Sequence, residues 1–550
     1  MQTALPLPPS LQAVLDVLPR ALIVGGSVRD HLLGLEPKDF DVEVYGQTAE
    51  QIQANLAKFG RVEMVGESFG VYKLTTADGQ TYDFSAPRRD SKVPGGKGHK
   101  AFKVEFDPTI TEIEAAARRD LTINALAWNP KTGEILDFYG GVSDLKGRIL
   151  RHTSLHFQDD PLRPLRIFQF AARMGFTVAP ETAQLCRTMA HRCSELPKER
   201  IGEEFNKFLL KGKDHNAGFR ALREMGWLAQ FPELQALDGL PQDHEYHPEG
   251  DVLTHTGHCL TALSKQDRWK ALHYGDKLIT MYGMLTHDFG KATTTKLERK
   301  AKLNREVIVS PGHDKAGVAP ALRLMEALNV PKEMAERATA HVSYHMEHIQ
   351  LKGDYQIRRL SVDMGKESIY KLGMIVEGDM SGRPPLPGGQ APAMQAILDR
   401  AQEMDCLHQK PKAILQGRDL LKWGLKPGPG VGVLLEAAYE AQTRGYIDNK
   451  DDAEKWFRAH RGSVLENARL APPRLFDGHD LSEAAVPGGP TFGKVHRDIF
   501  EKQLDGEIKT RMDAVEFLQA NREVYHLDPE VIGRLRAMAT ATPEVARQER

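Results

Sequence analysis

Cysteine is scarce in this chain, with four residues in 550: Cys186, Cys193, Cys259 and Cys406. Their spacing matches neither a metal knuckle nor a redox pair, and a reduced cytosol suits them best. No apolar run approaches bilayer-spanning length, so no membrane partner is expected. Met1 to Arg20 lacks the basic start and apolar core of a signal peptide, which makes a cytoplasmic protein the expectation. An excess of positive charge is also missing. The formal net charge is −2, so any RNA-binding surface has to be a local patch. No segment marks out an obvious protein partner. What the chain does have is length, enough for about three to five domains.

Ala21 to Val24 reads as a short buried strand, Gly25-Gly26-Ser27 as a turn, and Val28 to Leu33 as a helix. Such a turn offers free backbone N–H groups and a positive helix end, which suits a triphosphate. Asp39-Phe40-Asp41 comes next, and Val42 to Tyr45 continues it as a strand. Side chains at i and i+2 of a strand share a face, so the Asp39 and Asp41 carboxylates are expected to point the same way. Two parallel carboxylates beside a phosphate-binding turn make a site for Mg²⁺ and a nucleotide. The combination of Gly25-Gly26-Ser27-Val28-Arg29-Asp30 with Lys38-Asp39-Phe40-Asp41 resembles the nucleotidyltransferase core of the polymerase β superfamily. More closely, it resembles the first motif of class II CCA-adding tRNA nucleotidyltransferases and bacterial poly(A) polymerases.

Val71 to Leu74 and Thr81 to Phe84 read as a hairpin around Asp78-Gly79. Asp83 on that hairpin is either a third carboxylate facing the first two or a plain polar strand residue. Arg88 to Lys100 is basic and glycine-rich and reads as a mobile loop able to touch phosphates. Ala117-Arg118-Arg119-Asp120 through Asn124 resembles the family's second motif. There Arg119 can neutralise triphosphate charge and Asn124 can bond a ribose hydroxyl. Asp137 to Leu145 is similar to the third motif.

Asp159-Asp160-Pro161-Leu162-Arg163-Pro164-Leu165-Arg166 resembles the nucleotide-selecting motif. Asp160 can cap a helix whose first residue is Pro161, which puts Arg163, Arg166 and Arg173 on one stripe. A helix starting at Pro164 instead would leave Arg163 outside it. A carboxylate accepts from an exocyclic amine, and a guanidinium donates to ring acceptors. Cytosine and adenine present an amine beside an acceptor, whereas uracil and guanine present a carbonyl there. One Asp/Arg pair can therefore admit C and A and reject U and G without a template. Leu196 to Leu209 resembles the fifth motif, with a helix from Pro197 in which Arg200 and Glu203 either brace the selecting helix or form a solvated face.

A second pattern begins at His255. Leu285-Thr286-His287-Asp288-Phe289-Gly290-Lys291 resembles the signature of HD-type metal phosphohydrolases, followed by His313, His341, His345 and Asp379. Imidazole plus carboxylate suits Mn²⁺, Ni²⁺, Fe²⁺ or Zn²⁺. Such domains occur fused to CCA-adding cores, where the resemblance implies phosphatase or 2′,3′-cyclic phosphodiesterase activity. In the tail, Gly417-Arg418-Asp419-Leu420 recurs as Gly478-His479-Asp480-Leu481, and Pro429, Gln442, Gly445 and Ala453 recur as Pro490, Gln503, Gly506 and Ala514, all at an offset of 61. Two stacked helical modules are expected, which either extend a tRNA-gripping surface or form a purely structural repeat.

The sequence thus reads as an α+β multidomain protein. Its polymerase β-like head with a small mixed sheet spans 1–150, and a helical neck and body span 151–245. An HD-type domain covers 246–400 and a helical tail 401–550. The resemblance implies transfer of C, C and A from CTP and ATP to a tRNA 3′ end. In that reading Asp39, Asp41 and Asp83 hold Mg²⁺, Gly26, Arg29 and Arg119 bind triphosphate, and Asp160, Arg163 and Arg166 read the base. His255, His287, Asp288, His313, His345 and Asp379 hold a transition metal. A poly(A) polymerase or A-adding enzyme shares these motifs. An RNA-end or nucleotide phosphohydrolase and an RNA-binding maturation protein with an inactive transferase are the other readings.

Overall fold

The structure is a computed structural model, and it describes residues 2–37, 39–65, 71–92, 102–301, 304–351, 353–468, 472–487 and 490–540. The chain divides into two compact units, one of residues 1–351 with 364–399, the other of 352–363 with 400–550. No helix among the described residues is long and apolar enough to cross a membrane.

The head is built on strands β1 (Ala21–Val24), β2 (Asp41–Val44), β3 (Gly60–Val65), β4 (Val71–Thr76), β5 (Thr81–Ser85), β6 (Arg88–Lys92), β7 (Phe102–Phe106), β8 (Ala127–Asn129) and β9 (Glu134–Leu136). Seven of them form one sheet in the order β3-β4-β5-β2-β1-β8-β9. Only β2 and β5 pair in parallel; the other pairings are antiparallel. Burial alternates along β2 and β5, so Val42, Val44, Tyr82 and Phe84 face the core while Asp41, Glu43 and Asp83 share the other face. The helices Pro9–Val17 and Ala49–Leu56 close the core side with Leu11, Val14, Ile52 and Leu56. A Thr48/Gln51 capping box fixes where the second of them begins.

Three local expectations are corrected. The helix after the glycine turn runs Gly26–Leu32, two residues earlier than the pattern suggests. β2 starts at Asp41, so Asp39 and Phe40 belong to the approach and not to the strand. Within the basic segment, Arg88–Lys92 is a strand that pairs antiparallel with Phe102–Phe106. Residues 93–101 lie outside the described residues.

Beyond the head, the regular structure among the described residues of the first unit is helical except for two small features. A short parallel pair joins Ile149–Leu150 to Thr177–Val178, and a hairpin joins Lys296–Lys300 to Arg305–Val309. The expectation of a purely helical neck, body and HD segment is corrected to that extent. One continuous apolar core runs from Leu121 to Ile375, so the neck helices and the histidine-bearing helices pack as a single body. At its centre Phe168 stacks on Phe208 at 4.2 Å, with Phe205 and Phe219 around them.

The second unit shows the 61-residue repeat as structure. Gly417–Lys422, Pro429–Thr443 and Lys450–Asn467 are answered by Gly478–Glu483, Pro490–Leu504 and Arg511–Ala520, followed by Pro529–Thr540. The internal contacts repeat as well. Gln442 donates to the Lys412 carbonyl at 2.9 Å, and Gln503 donates to the Pro473 carbonyl at 2.8 Å. Lys450 pairs with Asp419 as Arg511 pairs with Asp480. Leu420, Ile447 and Phe457 in one core correspond to Leu481, Ile508 and Leu518 in the other. Stacking repeats too. Glu440 meets Arg359 of the helix Asp354–Asp363 at 2.9 Å, and its equivalent Glu501 meets the buried Arg461 of the first module at 2.8 Å.

Candidate functional site

The parallel register of β2 and β5 sets Asp41 directly across from Asp83. One Asp83 oxygen, Oδ1, is buried with no hydrogen-bond partner, an orphan acceptor of the kind a cation satisfies. Desolvation pushes the Asp41 carboxyl above its ordinary value; Asp83, Asp39 and Glu43 add to this and Arg119 opposes it. Asp39 therefore lies within the electrostatic reach of the pair although it precedes the strand. This cluster of hard oxygen donors fits Mg²⁺.

Gly25 holds a left-handed φ of 78°. A Cβ there would come within 3.1 Å of Arg119 Nη1 and 4.0 Å of Asp41 Oδ2, so glycine is what lets the turn, the guanidinium and the carboxylates converge. Arg119 donates to Glu43 at 2.9 Å. With Glu43, Arg118, Asp159 and Arg163 it lines a cavity of about 290 Å³.

Arg29 is placed differently from Arg119. It is buried, paired with Asp30, bonded to the Asn124 side-chain carbonyl and set over the Phe170 ring. Asn124 donates onward to Asp120 at 3.0 Å, and Asp120 accepts from Arg166 at 2.7 Å. Burial would raise Asp120, but Arg166 and Asn124 hold it at about 2. Arg29, Asn124 and Arg166 thus form one internal network that ties the first two motifs to the selecting helix.

That helix runs Arg163–Met174 with Pro164 at its second position, so neither start considered from the sequence is the observed one. Asp160 lies before it and accepts from the Leu162 N–H at 3.0 Å. Its ion-pair partner is Arg200 at 3.0 Å, the bracing contact expected of the fifth motif; Glu203 is exposed. Arg163 donates to the backbone carbonyls of His156 and Arg118 and lies over Phe157.

In the HD-type segment, His287 caps the helix Tyr274–Thr286, with Asp288 next to it. Three imidazoles are oriented alike. Nδ1 of His287, His313 and His345 bonds the backbone carbonyl three residues earlier, at 2.7, 2.8 and 2.8 Å. That fixes each ring with Nε2 turned inward. His255 follows the same rule through Glu249, 2.7 Å from its Nδ1, and puts Nε2 3.1 Å from Asp379. His313 Nε2 and His345 Nε2 face each other at 3.1 Å, and His287 Nε2 is buried with no hydrogen-bond partner. Asp288 reaches His287 and His313 at 3.3 Å each and Lys291 at 2.7 Å. Converging Nε2 lone pairs among carboxylates fit a divalent metal, and imidazole donors suit a transition metal.

The site residues singled out by sequence therefore come together here. His341 does not join them: it pairs with the buried Glu367 at 3.1 Å. Glu249, Lys291 and Cys259 belong to the cluster but were not singled out. Cys259 lies one helical turn from His255, a spacing not weighed in reading the four cysteines. Burial alone would lower the His255 imidazole, yet Cys259, Asp379 and Glu249 raise it well above its usual value.

Comparison with known proteins places the geometry in a class. Residues 21–151 match the poly A polymerase head domain, and residues 175–237 match the probable RNA and SrmB-binding site of polymerase A. The fold is similar to that of a Bacillus stearothermophilus CCA-adding enzyme in complex with CTP, with a TM-score of 0.55 and 21% identity over 84% of this chain and 98% of that one. A multifunctional CCA protein of Xanthomonas campestris pv. campestris is 36% identical over 428 residues, 76% of this chain and 96% of the relative. One from Pasteurella multocida is 36% identical over 375 residues, 66% and 83%. The chain belongs to the multifunctional CCA protein family.

Proposed function

We propose that the head adds C, C and A to the 3′ end of tRNA from CTP and ATP, and that the HD-type centre hydrolyses phosphoesters. The observation that carries the first part is the Asp41–Asp83 register beside the Gly25 turn and the Arg119-lined cavity. Asp39, Asp41 and Asp83 hold Mg²⁺, which supplies charge stabilisation for nucleotidyl transfer. Arg119 and the backbone at Gly26 bind triphosphate, and Arg29 fixes the turn from behind. Asp160, steadied by Arg200, accepts from the exocyclic amine of C or A. Arg163 donates to the adjacent ring acceptor, and Arg166 keeps their helix in place through Asp120.

The test is single-nucleotide analysis of tRNA transcripts ending at the discriminator base, C or CC, with CTP, ATP or both. Growth that stops at CCA is expected, and Asp41→Ala abolishes it. A lone A on the CC transcript, or a long A tract, would make the protein an A-adding enzyme or poly(A) polymerase instead.

The inward-facing Nε2 atoms carry the second part. His255, His287, Asp288, His313, His345 and Asp379 hold a divalent transition metal, which supplies Lewis acidity toward a phosphoryl group. Lys291, beside Asp288, balances negative charge on the bound phosphate. Wild type should cleave a 2′,3′-cyclic nucleotide and His287→Ala should not. Metal-free purified protein together with inactive wild type would sink this part.

A further inference from the structure

Cys259 follows His255 by one turn on the helix Val252–Lys265, so the two side chains leave the same face. Its Sγ lies 3.3 Å from His255 Nε2, the nitrogen that also faces Asp379. One donor atom each from Cys259, His255, His287 and Asp379 falls within 4.8 Å of the others. Ligands bound to one ion at ~2.0–2.3 Å stand roughly 3.5 Å apart, so side-chain shifts of about an ångström close this set on a single ion. A second observation points the same way: His287 is 1% exposed, and its Nε2 is turned into this set with no hydrogen-bond partner. Asp288, His313 and His345 form an adjoining group, joined to the first through Asp288, which lies 3.3 Å from His287 Nε2 and 3.7 Å from His255 Nε2.

We propose that Cys259 is a metal ligand of the HD-type centre, completing a mixed sulfur, nitrogen and oxygen set with His255, His287 and Asp379. The inference rests on the metal-centre reading above. On binding, the thiol proton leaves to solvent and the sulfur lone pair goes to the metal. A thiolate shifts preference toward Zn²⁺, Fe²⁺, Co²⁺ or Ni²⁺ and away from Mg²⁺ and Mn²⁺. The bland alternative is a small buried hydrophobe packed against Asp379 and Gly382, which predicts no sulfur–metal signature.

The experiment uses the full chain, stripped with a chelator and titrated with Co²⁺ in excess Mg²⁺, so that the head carboxylates stay occupied. Absorption is read without nucleotide or RNA. A sulfur-to-cobalt charge-transfer band in the near ultraviolet is expected. It should survive replacement of Cys186, Cys193 and Cys406 by serine and be lost in Cys259→Ser, with Co²⁺ binding at least ~10-fold weaker. Nucleotide addition by Cys259→Ser reports that the variant has folded, and the wild-type spectrum decides the matter even if it has not. Bound cobalt with no charge-transfer band overturns the Cys259 ligand and leaves the metal centre standing. No bound cobalt overturns both.

Discussion

Asp83 shows how much one register can decide. A shift of one residue between β2 and β5 would turn its side chain toward the core, expel Tyr82 and Phe84 from it, and lose the pair with Asp41. Asp83→Asn keeps the shape and removes the charge. Nucleotide addition should fall by roughly 10³-fold, about 4 kcal/mol of transition-state stabilisation, with the melting temperature little changed. Activity within a few-fold of wild type would return Asp83 to being a polar strand residue. His215 gives a second test on a side chain that belongs to neither donor set. It is fully buried, bonded to Thr261 and edge-on to Phe208, and burial lowers its imidazole to about 4. The unfolded chain takes up this proton near pH ~6.5 and the folded chain only near 4, so stability is lost as pH falls through that window, by up to ~3 kcal/mol. In urea melts at pH 7 and pH 4.5, His215→Gln should show a smaller difference than wild type. An equal difference would place the acid sensitivity elsewhere.

Among the elements, local signals were legible and long-range pairings were not. Ala21 to Val24 is an apolar run long enough only for a strand, and it is one. The Asp78-Gly79 turn closes its hairpin as read. The 61-residue offset returns the starts of three helices, because the same turn residues and the same buried positions recur. The start of the selecting helix was misplaced because Pro161 and Pro164 both suit a first turn. Tertiary contacts set the observed start at Arg163, with Asp160 drawn to Arg200 and Arg163 to two carbonyls. Arg29 carried the same ambiguity, since no spacing announces that Asn124 will occupy its guanidinium. Glu249 and Cys259 flank His255 closely in sequence, but their relevance depends on Asp379, far along the chain. At this scale Arg461 is the critical contact of the tail. Buried and bonded to Glu501 and Asp505, it joins the two modules. Arg461→Ala should destabilise the second module by ~1–3 kcal/mol, discounted because both acidic partners are partly exposed. Hydrogen exchange in 472–540 should rise while 417–467 changes little. If the second module extends the tRNA surface, deleting 471–550 should weaken tRNA binding and flatten its salt dependence. Unchanged affinity would make it purely structural.

For the whole molecule, the head carboxylates and the HD-type donors draw on different side chains with no residue in common, so their chemistries should separate. Asp41→Ala should end nucleotide addition and spare cyclic-phosphate hydrolysis, and His287→Ala should do the reverse. Loss of both in either variant would reveal a shared step. Dissection by truncation is less straightforward. The helix Asp354–Asp363 lies between segments of the first unit in the chain yet groups with the second, where Arg358 bonds the Thr443 carbonyl and Arg400 clasps Asp354. The polypeptide therefore leaves the first unit, returns to it and leaves again. A stop codon near residue 400 does not release a clean catalytic half. It strands an amphipathic helix with its polar clasp and packing partners gone, and a shortened protein made that way should be sticky and protease-sensitive for reasons unrelated to either reaction.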